Sequence, residues 1–98
     1  MANVWSLAGN MATARELHAA TLLSNGTVLV DGGVESSGLA ASSAELYDPV
    51  ANSWSLTGSL PTALFMATAT LLPSGAVLVA GGNDWFTNLP IQSAEMYC

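Results

Sequence analysis

The sequence predicts an all-β protein built from two copies of one unit, and each unit contains four short antiparallel strands. Three observations support this fold class. The chain repeats itself after 49 residues, turn-forming Gly, Asn and Pro residues separate short apolar and β-branched runs, and only 8% of the 98 residues are charged. Because equivalent positions of a repeat fold alike, each assignment is checked against the other copy.

The repeat organises the chain as a single two-repeat unit, 1–98, with repeat 1 over about 5–53 and repeat 2 over about 54–98. Four segments of the first copy return in the second: Trp5-Ser6-Leu7 as Trp54-Ser55-Leu56, Val28-Leu29-Val30 as Val77-Leu78-Val79, Gly32-Gly33 as Gly81-Gly82, and 43–47 as 93–97. The last match holds at a spacing of 50, so one residue is inserted near position 83. The insertion predicts a variable loop there.

Each repeat is expected to form strands A, B, C and D in chain order. In repeat 1 the strands cover 18–23, 27–30, 43–47 and 53–56. Asn25-Gly26 predicts a tight turn between A and B, whereas long loops follow B and D. A helix over 60–72 competes in repeat 2, because Ala, Leu and Met favour helices. The equivalent residues of repeat 1 include Thr, His and other polar residues, which favours strands in both copies.

Residues 3–8 carry the strand D motif ahead of the first strand A. The order of strands is therefore D, then A to D, then A to C. This order predicts that 3–8 pairs with strand C of another subunit and completes a four-stranded sheet there. Two sheets alone would leave two apolar faces uncovered, which also predicts self-association.

Charge and hydropathy exclude several classes of function. One basic residue against seven acidic residues gives a net charge of −6, the wrong sign for nucleic acid or an anionic membrane surface. Pro61 and Pro73 confine the most apolar stretch to eleven residues, whereas a membrane-spanning helix needs about twenty. We therefore expect a soluble protein. No export signal is recognised, and the cellular location stays open. Because Cys98 is the single cysteine, no disulfide can form within the chain.

The motifs of each repeat occur in a fixed order: a Gly-Gly pair after strand B, Tyr47 on strand C and Trp54 on strand D. Together with the runs 71–82 and 43–49, this set resembles the kelch family, in particular the bacterial variants that accompany galactose-oxidase-like proteins. The resemblance implies a β-propeller with one four-stranded blade per repeat. Two blades per chain are then completed by oligomerisation, and six blades in a homotrimer are the expected ring. The Tyr and Trp residues are expected to pack between blades.

The antiparallel order of the strands places the D–A and B–C loops on one side of each unit. The B–C loop of repeat 2 contains Asp84, Trp85 and Phe86, and its two aromatic residues have no counterparts in repeat 1. Two aromatic rings beside a carboxylate suit a protein hot spot or a sugar ring. The sequence therefore predicts a non-catalytic module that binds a protein or a glycan through this face. In the competing interpretation both aromatic residues are buried under the blade or in the subunit contact.

Two charged residues of repeat 1 complete the predicted ligand-binding set. Arg15 lies in the D–A loop and Glu35 lies in the B–C loop. Arg15 also has a structural interpretation, as a donor to Glu16, Glu45 or a loop carbonyl. The second repeat has Leu64 at the position of Arg15, so a role that needs this arginine in every blade is not expected.

Two alternatives to a binding module remain at this stage. The first is an enzyme similar to galactose oxidase, whose copper chemistry uses two His and two Tyr ligands. This chain has one histidine, His18, and Tyr97 stands beside Cys98. Three copies of His18 around a trimer axis would offer a metal site only if the imidazoles pointed inward, so no cofactor and no catalytic residue are expected. The second alternative is a propeller fragment or self-assembling unit without an evolved ligand.

Overall fold

The computed structural model describes residues 3–98, and its secondary structure consists of strands and turns. Seven strands of four or five residues and four two-residue strands follow one another in chain order: β1 Arg15–Glu16, β2 Ala19–Leu22, β3 Val28–Asp31, β4 Val34–Glu35, β5 Ala44–Asp48, β6 Ser53–Thr57, β7 Leu64–Phe65, β8 Thr68–Leu71, β9 Val77–Ala80, β10 Asn83–Asp84 and β11 Ala94–Tyr97. The prediction of an all-β fold is confirmed. Within this range, no helix is long and apolar enough to cross a membrane.

Repeat 1 forms a four-stranded antiparallel sheet in the order β2-β3-β5-β6, which corresponds to strands A to D. The sequence boundaries agree with the observed strands within one or two residues. The A–B turn closes as predicted: the amide of Gly26 donates to the Leu23 carbonyl at 3.0 Å, and Gly26 has a φ of 89°. Glycine adopts this left-handed conformation without steric cost, which explains its place in the turn.

Repeat 2 forms a sheet of three strands, β8-β9-β11, which are its strands A to C. Within the described chain, the outer edge of β11 has no strand beside it. The segment 3–8, predicted to be a strand D, has no strand conformation in the single chain. Its side chains are open to solvent, with Trp5 101% and Leu7 99% exposed. One sheet edge and one segment of matching sequence thus both lack a partner.

The long loops form two small ladders that the sequence did not predict. β1 of the first D–A loop pairs with β4 of the first B–C loop, and β7 pairs with β10 in the second repeat. Leu17 and Met66, at equivalent positions, take left-handed conformations with φ of 56° and 63° between the ladder and strand A. The amide of Met66 donates to the Leu17 carbonyl at 2.8 Å and links the two repeats.

The hydrophobic core lies between the two larger sheets. Leu29 and Ala44 of the first sheet pack with Val77 and Val79 of the second. In β9 the buried residues alternate with partly exposed residues, as the two-residue period of a strand requires. Strands β2 and β8, the first strand of each sheet, also lie next to each other.

The outward face of the second sheet is apolar and largely uncovered, and that of the first sheet is partly covered by the D–A loop. Opposite the core, the second sheet presents the uncharged residues Thr68, Thr70, Leu78, Ala80, Ala94 and Met96. The outward face of the first sheet exposes Ala20, Leu22 and Leu56. Apolar faces of this kind favour association with a further sheet.

The aromatic residues Tyr47 and Trp54 contact each other. They stack across β5 and β6, with ring centroids 5.0 Å apart, and their packing against another blade stays a prediction. They are directly opposite each other in the register, so both side chains project from the same face. The Trp54 indole also donates to the Gly9 carbonyl at 2.8 Å and fastens the D–A loop to the sheet.

Candidate binding face and the buried charges beneath it

The D–A and B–C loops meet on one side of the chain because the small ladders join them. Across the first ladder Arg15 is opposite Glu35, and across the second Asp84 is opposite Leu64. Backbone pairing therefore holds the loops of each repeat together. We call the surface formed by 8–18, 34–42, 58–67 and 83–92 the loop face.

Asp84, Trp85 and Phe86 occupy the loop face but do not form a common platform. The Asp84 Oδ1 atom accepts a hydrogen bond from the Phe86 amide at 2.8 Å, which fixes a local turn. Trp85 is half-buried and packs edge-to-face against Phe65, with centroids 6.1 Å apart. Phe86 is 85% exposed. Phe86 is thus the aromatic side chain available to a ligand, whereas Trp85 largely supports the loop.

Arg15 lies beneath the loop face, with its guanidinium fully buried. Its Nη1 atom donates to the carbonyls of Gly32 and Ser43, both at 2.9 Å. Its Nη2 atom donates to the Ser43 hydroxyl at 3.1 Å and to Glu45 Oε2 at 2.9 Å. These contacts assign Arg15 the structural role considered in the sequence analysis. The prediction that it contacts a ligand is corrected, because burial removes the guanidinium from solvent.

Glu45 completes this network from strand β5. Its carboxylate is fully buried and accepts hydrogen bonds from the amides of Ala12 at 2.7 Å and Thr13 at 3.2 Å. Three donors, the two amides and the Arg15 Nη2 atom, therefore satisfy one buried charge and tie the D–A loop to the sheet. The second repeat lacks this arrangement. Leu64 stands at the position of Arg15, and Pro61, which has no amide hydrogen, stands at the position of Ala12.

Glu35 lies half-buried at the end of β4. Its amide donates to the Leu39 carbonyl at 2.9 Å, and its carbonyl accepts from Gly38 at 2.9 Å, so its backbone closes the B–C turn. With Glu16 and Val34 it lines a shallow depression of about 230 Å³. Glu35 therefore lies on the loop face, in a different small ladder from that of Asp84.

The sequence analysis missed Asp31, at the end of β3. Asp31 is 3% exposed, and neither carboxylate oxygen has a hydrogen-bond partner in the described part of the chain. Burial raises the pKa of this carboxyl to about 6, and the charge of Arg15 opposes the increase. A signal was present, because an apolar strand ends in Asp31 in one copy and in Ala80 in the other.

The remaining candidates for chemistry are dispersed. His18 is exposed on the loop face, and residues 3–98 of a single chain contain no group of three His, Cys, Asp or Glu side chains able to hold a metal. No protein-family model matches this sequence, and no curated protein matches it at a significant level. The site thus consists of the loops of the loop face above the buried ion pair of Arg15 and Glu45.

Proposed function

We propose that this chain is a self-assembling unit of a kelch-like β-propeller that acts as a non-catalytic binding module. In this proposal, residues 3–8 of one subunit form the fourth strand of its neighbour's second sheet. Three subunits close a ring of six blades, and the loop face of the ring binds a protein or a glycan. A ring with no evolved ligand is the alternative.

The observation that carries the proposal is the match between the open edge of β11 and the unpaired segment 3–8. In the first sheet Tyr47 is opposite Trp54 and Asp48 is opposite Ser53. Applying the repeat spacings of 50 and 49 residues to that register places Trp5 of one subunit opposite Tyr97 of another, and Val4 opposite Cys98. Each exposed side chain of the segment thereby gains the environment of its equivalent in the first sheet.

The composition of the outward faces supports the same assembly. The outward face of the second sheet carries no charged residue. Packing this face against another sheet therefore removes no charged group from water. The contact is head-to-tail, because one subunit gives the strand that the next receives. Head-to-tail contacts form closed rings when the rotation between subunits closes. Propellers contain about four to eight blades, which allows two, three or four such chains.

The native Cys98 provides a direct test of the strand exchange. In the Val4→Cys variant, mild oxidation should join residue 4 of one subunit to Cys98 of the next, because directly opposite strand residues lie within disulfide range. Non-reducing electrophoresis should show covalent dimers and trimers. Light scattering should give the mass of three chains before oxidation.

Asn3→Cys is the matched control, since residue 3 faces the other side of the strand. It should crosslink much more slowly, and so should the parent chain with Cys98 alone. A disulfide within one chain, or equal crosslinking of both variants, would contradict donation to a second copy. Normal ring mass with no crosslink in Val4→Cys would show that another segment covers β11.

A second prediction concerns ligand binding at the loop face, and the exposure of Phe86 favours it. Phe86→Ala should weaken any ligand found on glycan or peptide arrays by on the order of 2 kcal/mol, with unchanged thermal stability. Trp85→Ala should instead lower stability by about 1–3 kcal/mol, because Trp85 packs on Phe65. Thermal melts and array binding on the same samples separate the two effects. Binding that survives Phe86→Ala at full strength would place the ligand elsewhere.

A further inference from the structure

A cavity lies between the two larger sheets, close to the ends of the strands that carry the loop face. Its volume is about 180 Å³, far above the roughly 15 Å³ that one water molecule needs. The wall combines apolar side chains from both repeats with two acidic side chains: Leu29, Leu60, Val79, Asp31 and Glu95. All residues that line the cavity belong to one chain.

Asp31 is the unusual member of this wall. It is almost completely buried, and both of its carboxylate oxygens are without a hydrogen-bond partner among residues 3–98. A buried carboxylate without donors is costly, and native proteins normally satisfy such groups. The neighbouring Arg15 does not satisfy it, since the Arg15 Nη atoms donate to Gly32, Ser43 and Glu45.

The second acid, Glu95, increases the negative charge of the cavity. It is half-buried on β11, and no hydrogen bond to its carboxylate occurs in the part of the chain that the structure describes. Its equivalent Glu45 is satisfied by Arg15 and two amides. In the second repeat Leu64 stands at the position of Arg15, and Pro61 stands at the position of Ala12. Arg15 is the sole basic residue of the sequence and is already paired. Among residues 3–98, no basic side chain forms a salt bridge with Asp31 or Glu95.

We propose that this cavity binds a primary ammonium group on a short apolar stem, with Asp31 and Glu95 as the acceptors. An ammonium carries three donors, and the apolar wall formed by Leu29, Leu60 and Val79 suits a methylene stem. Calcium needs six to eight oxygen ligands, which two carboxylates on an apolar wall do not supply. The ligand class is thus an alkylamine or a lysine side chain, which share the same chemistry.

The proposal predicts a specific dependence on pH. The pKa of Asp31 is about 6, so its carboxyl is charged at pH 7.5 and mostly protonated at pH 5. The other titratable groups around it are Arg15 beneath the sheet and Glu95 and Tyr97 across the cavity. Affinity for an ammonium should therefore fall as the pH falls through about 6. The stability of the ligand-free protein should change in the opposite direction. Its free energy of unfolding should fall as the pH rises from about 4 to about 6, because native Asp31 loses its proton at a higher pH than Asp31 of the unfolded chain.

The experiment titrates the full chain with n-butylammonium chloride and follows the backbone amide resonances of Leu29 and Met96 by NMR. n-Butanol tests the stem without the charge, and sodium chloride tests the charge without the stem. N-acetyl-lysine amide tests whether a lysine side chain also enters the cavity. Asp31→Asn removes the charge at nearly constant volume, and Asp48→Asn makes the same change at an exposed turn.

The expected result is saturable shifts with n-butylammonium at pH 7.5, about tenfold or more weaker binding for Asp31→Asn, and unchanged binding for Asp48→Asn. Glu95→Gln should weaken ammonium binding less than Asp31→Asn does. It also provides a second test if Asp31→Asn does not fold. Binding of the amine but not of the lysine derivative would identify a free amine as the ligand, and binding of both would include a lysine of a partner protein. Equal binding by Asp31→Asn, equal competition by sodium ions, or no saturable shift would overturn the proposal. None of these readouts depends on crosslinking through Val4→Cys or on array binding at Phe86.

Discussion

Replacing Glu45 by Ala should lower the free energy of unfolding by about 3–5 kcal/mol, which is the usual cost of removing one partner of a buried ion pair. The variant leaves the buried Arg15 guanidinium without its counter-charge. It also leaves the amides of Ala12 and Thr13 without their acceptor, so the D–A loop loses its attachment to β5. Urea unfolding followed by tryptophan fluorescence, at one fixed protein concentration, measures the loss.

The second repeat supplies the matched control for this prediction. Glu95→Ala removes the same side chain at the equivalent position, where no ion pair exists within the described chain. It should change the free energy of unfolding by about 1 kcal/mol or less, since substitutions away from buried networks usually have small effects. Equal losses in the two variants would show that the Arg15–Glu45 network is not the source of the effect.

Replacing Gly33 by Ala should be similarly damaging, with a loss of about 3 kcal/mol or more. Gly33 has a φ of 93°, and its amide donates to the Leu64 carbonyl at 2.9 Å, which joins the two repeats. A Cβ atom at this position would overlap the Glu16 carbonyl oxygen and lie 3.0 Å from the His18 Cβ. The contact is with backbone, so the ladder between β1 and β4 would have to move.

Gly38→Ala is the control that separates conformational strain from steric overlap. Gly38 has a similar φ of 85°, but a Cβ atom there meets nothing within 4 Å. It should therefore show only the strain of a left-handed alanine, about 1 kcal/mol. Thermal or urea unfolding of both variants gives the comparison. A Gly33→Ala variant no less stable than Gly38→Ala would mean that the loop accommodates the added carbon.

The repeat made the strands predictable from the sequence. Strand boundaries in both copies follow from turn residues such as Gly26 and from apolar runs such as 77–79, and these signals are local. Local signals also explain the rejection of a helix over 60–72, where the structure places β7 and β8. The small ladders escaped prediction because two-residue strands have no periodicity that a sequence pattern can reveal.

The sequence predicted that Asp84, Trp85 and Phe86 lie in the B–C loop, but it left the exposure of the two aromatic side chains open. Asp84, Trp85 and Phe86 lie on the loop face, yet Trp85 packs on Phe65, a residue 20 positions earlier in the chain. Such a contact depends on the pairing of β7 with β10. No pattern around Trp85 indicates which of two adjacent aromatic side chains turns towards solvent.

By itself, the sequence determined the all-β class, the two-repeat organisation and the strand order, because turn chemistry, β-propensity and repetition act over a few residues. Only the tertiary structure decided which charges are satisfied. Arg15 and Glu45 are 30 residues apart and meet because β1 and β5 converge beneath the loop face. Asp31, on the opposite face of the same sheet, is left facing Glu95 across a cavity. Glu45 and Asp31 are both buried, but only Glu45 has hydrogen-bond donors around its carboxylate. The energy of a buried charge depends on such donors, and folding alone brings them there.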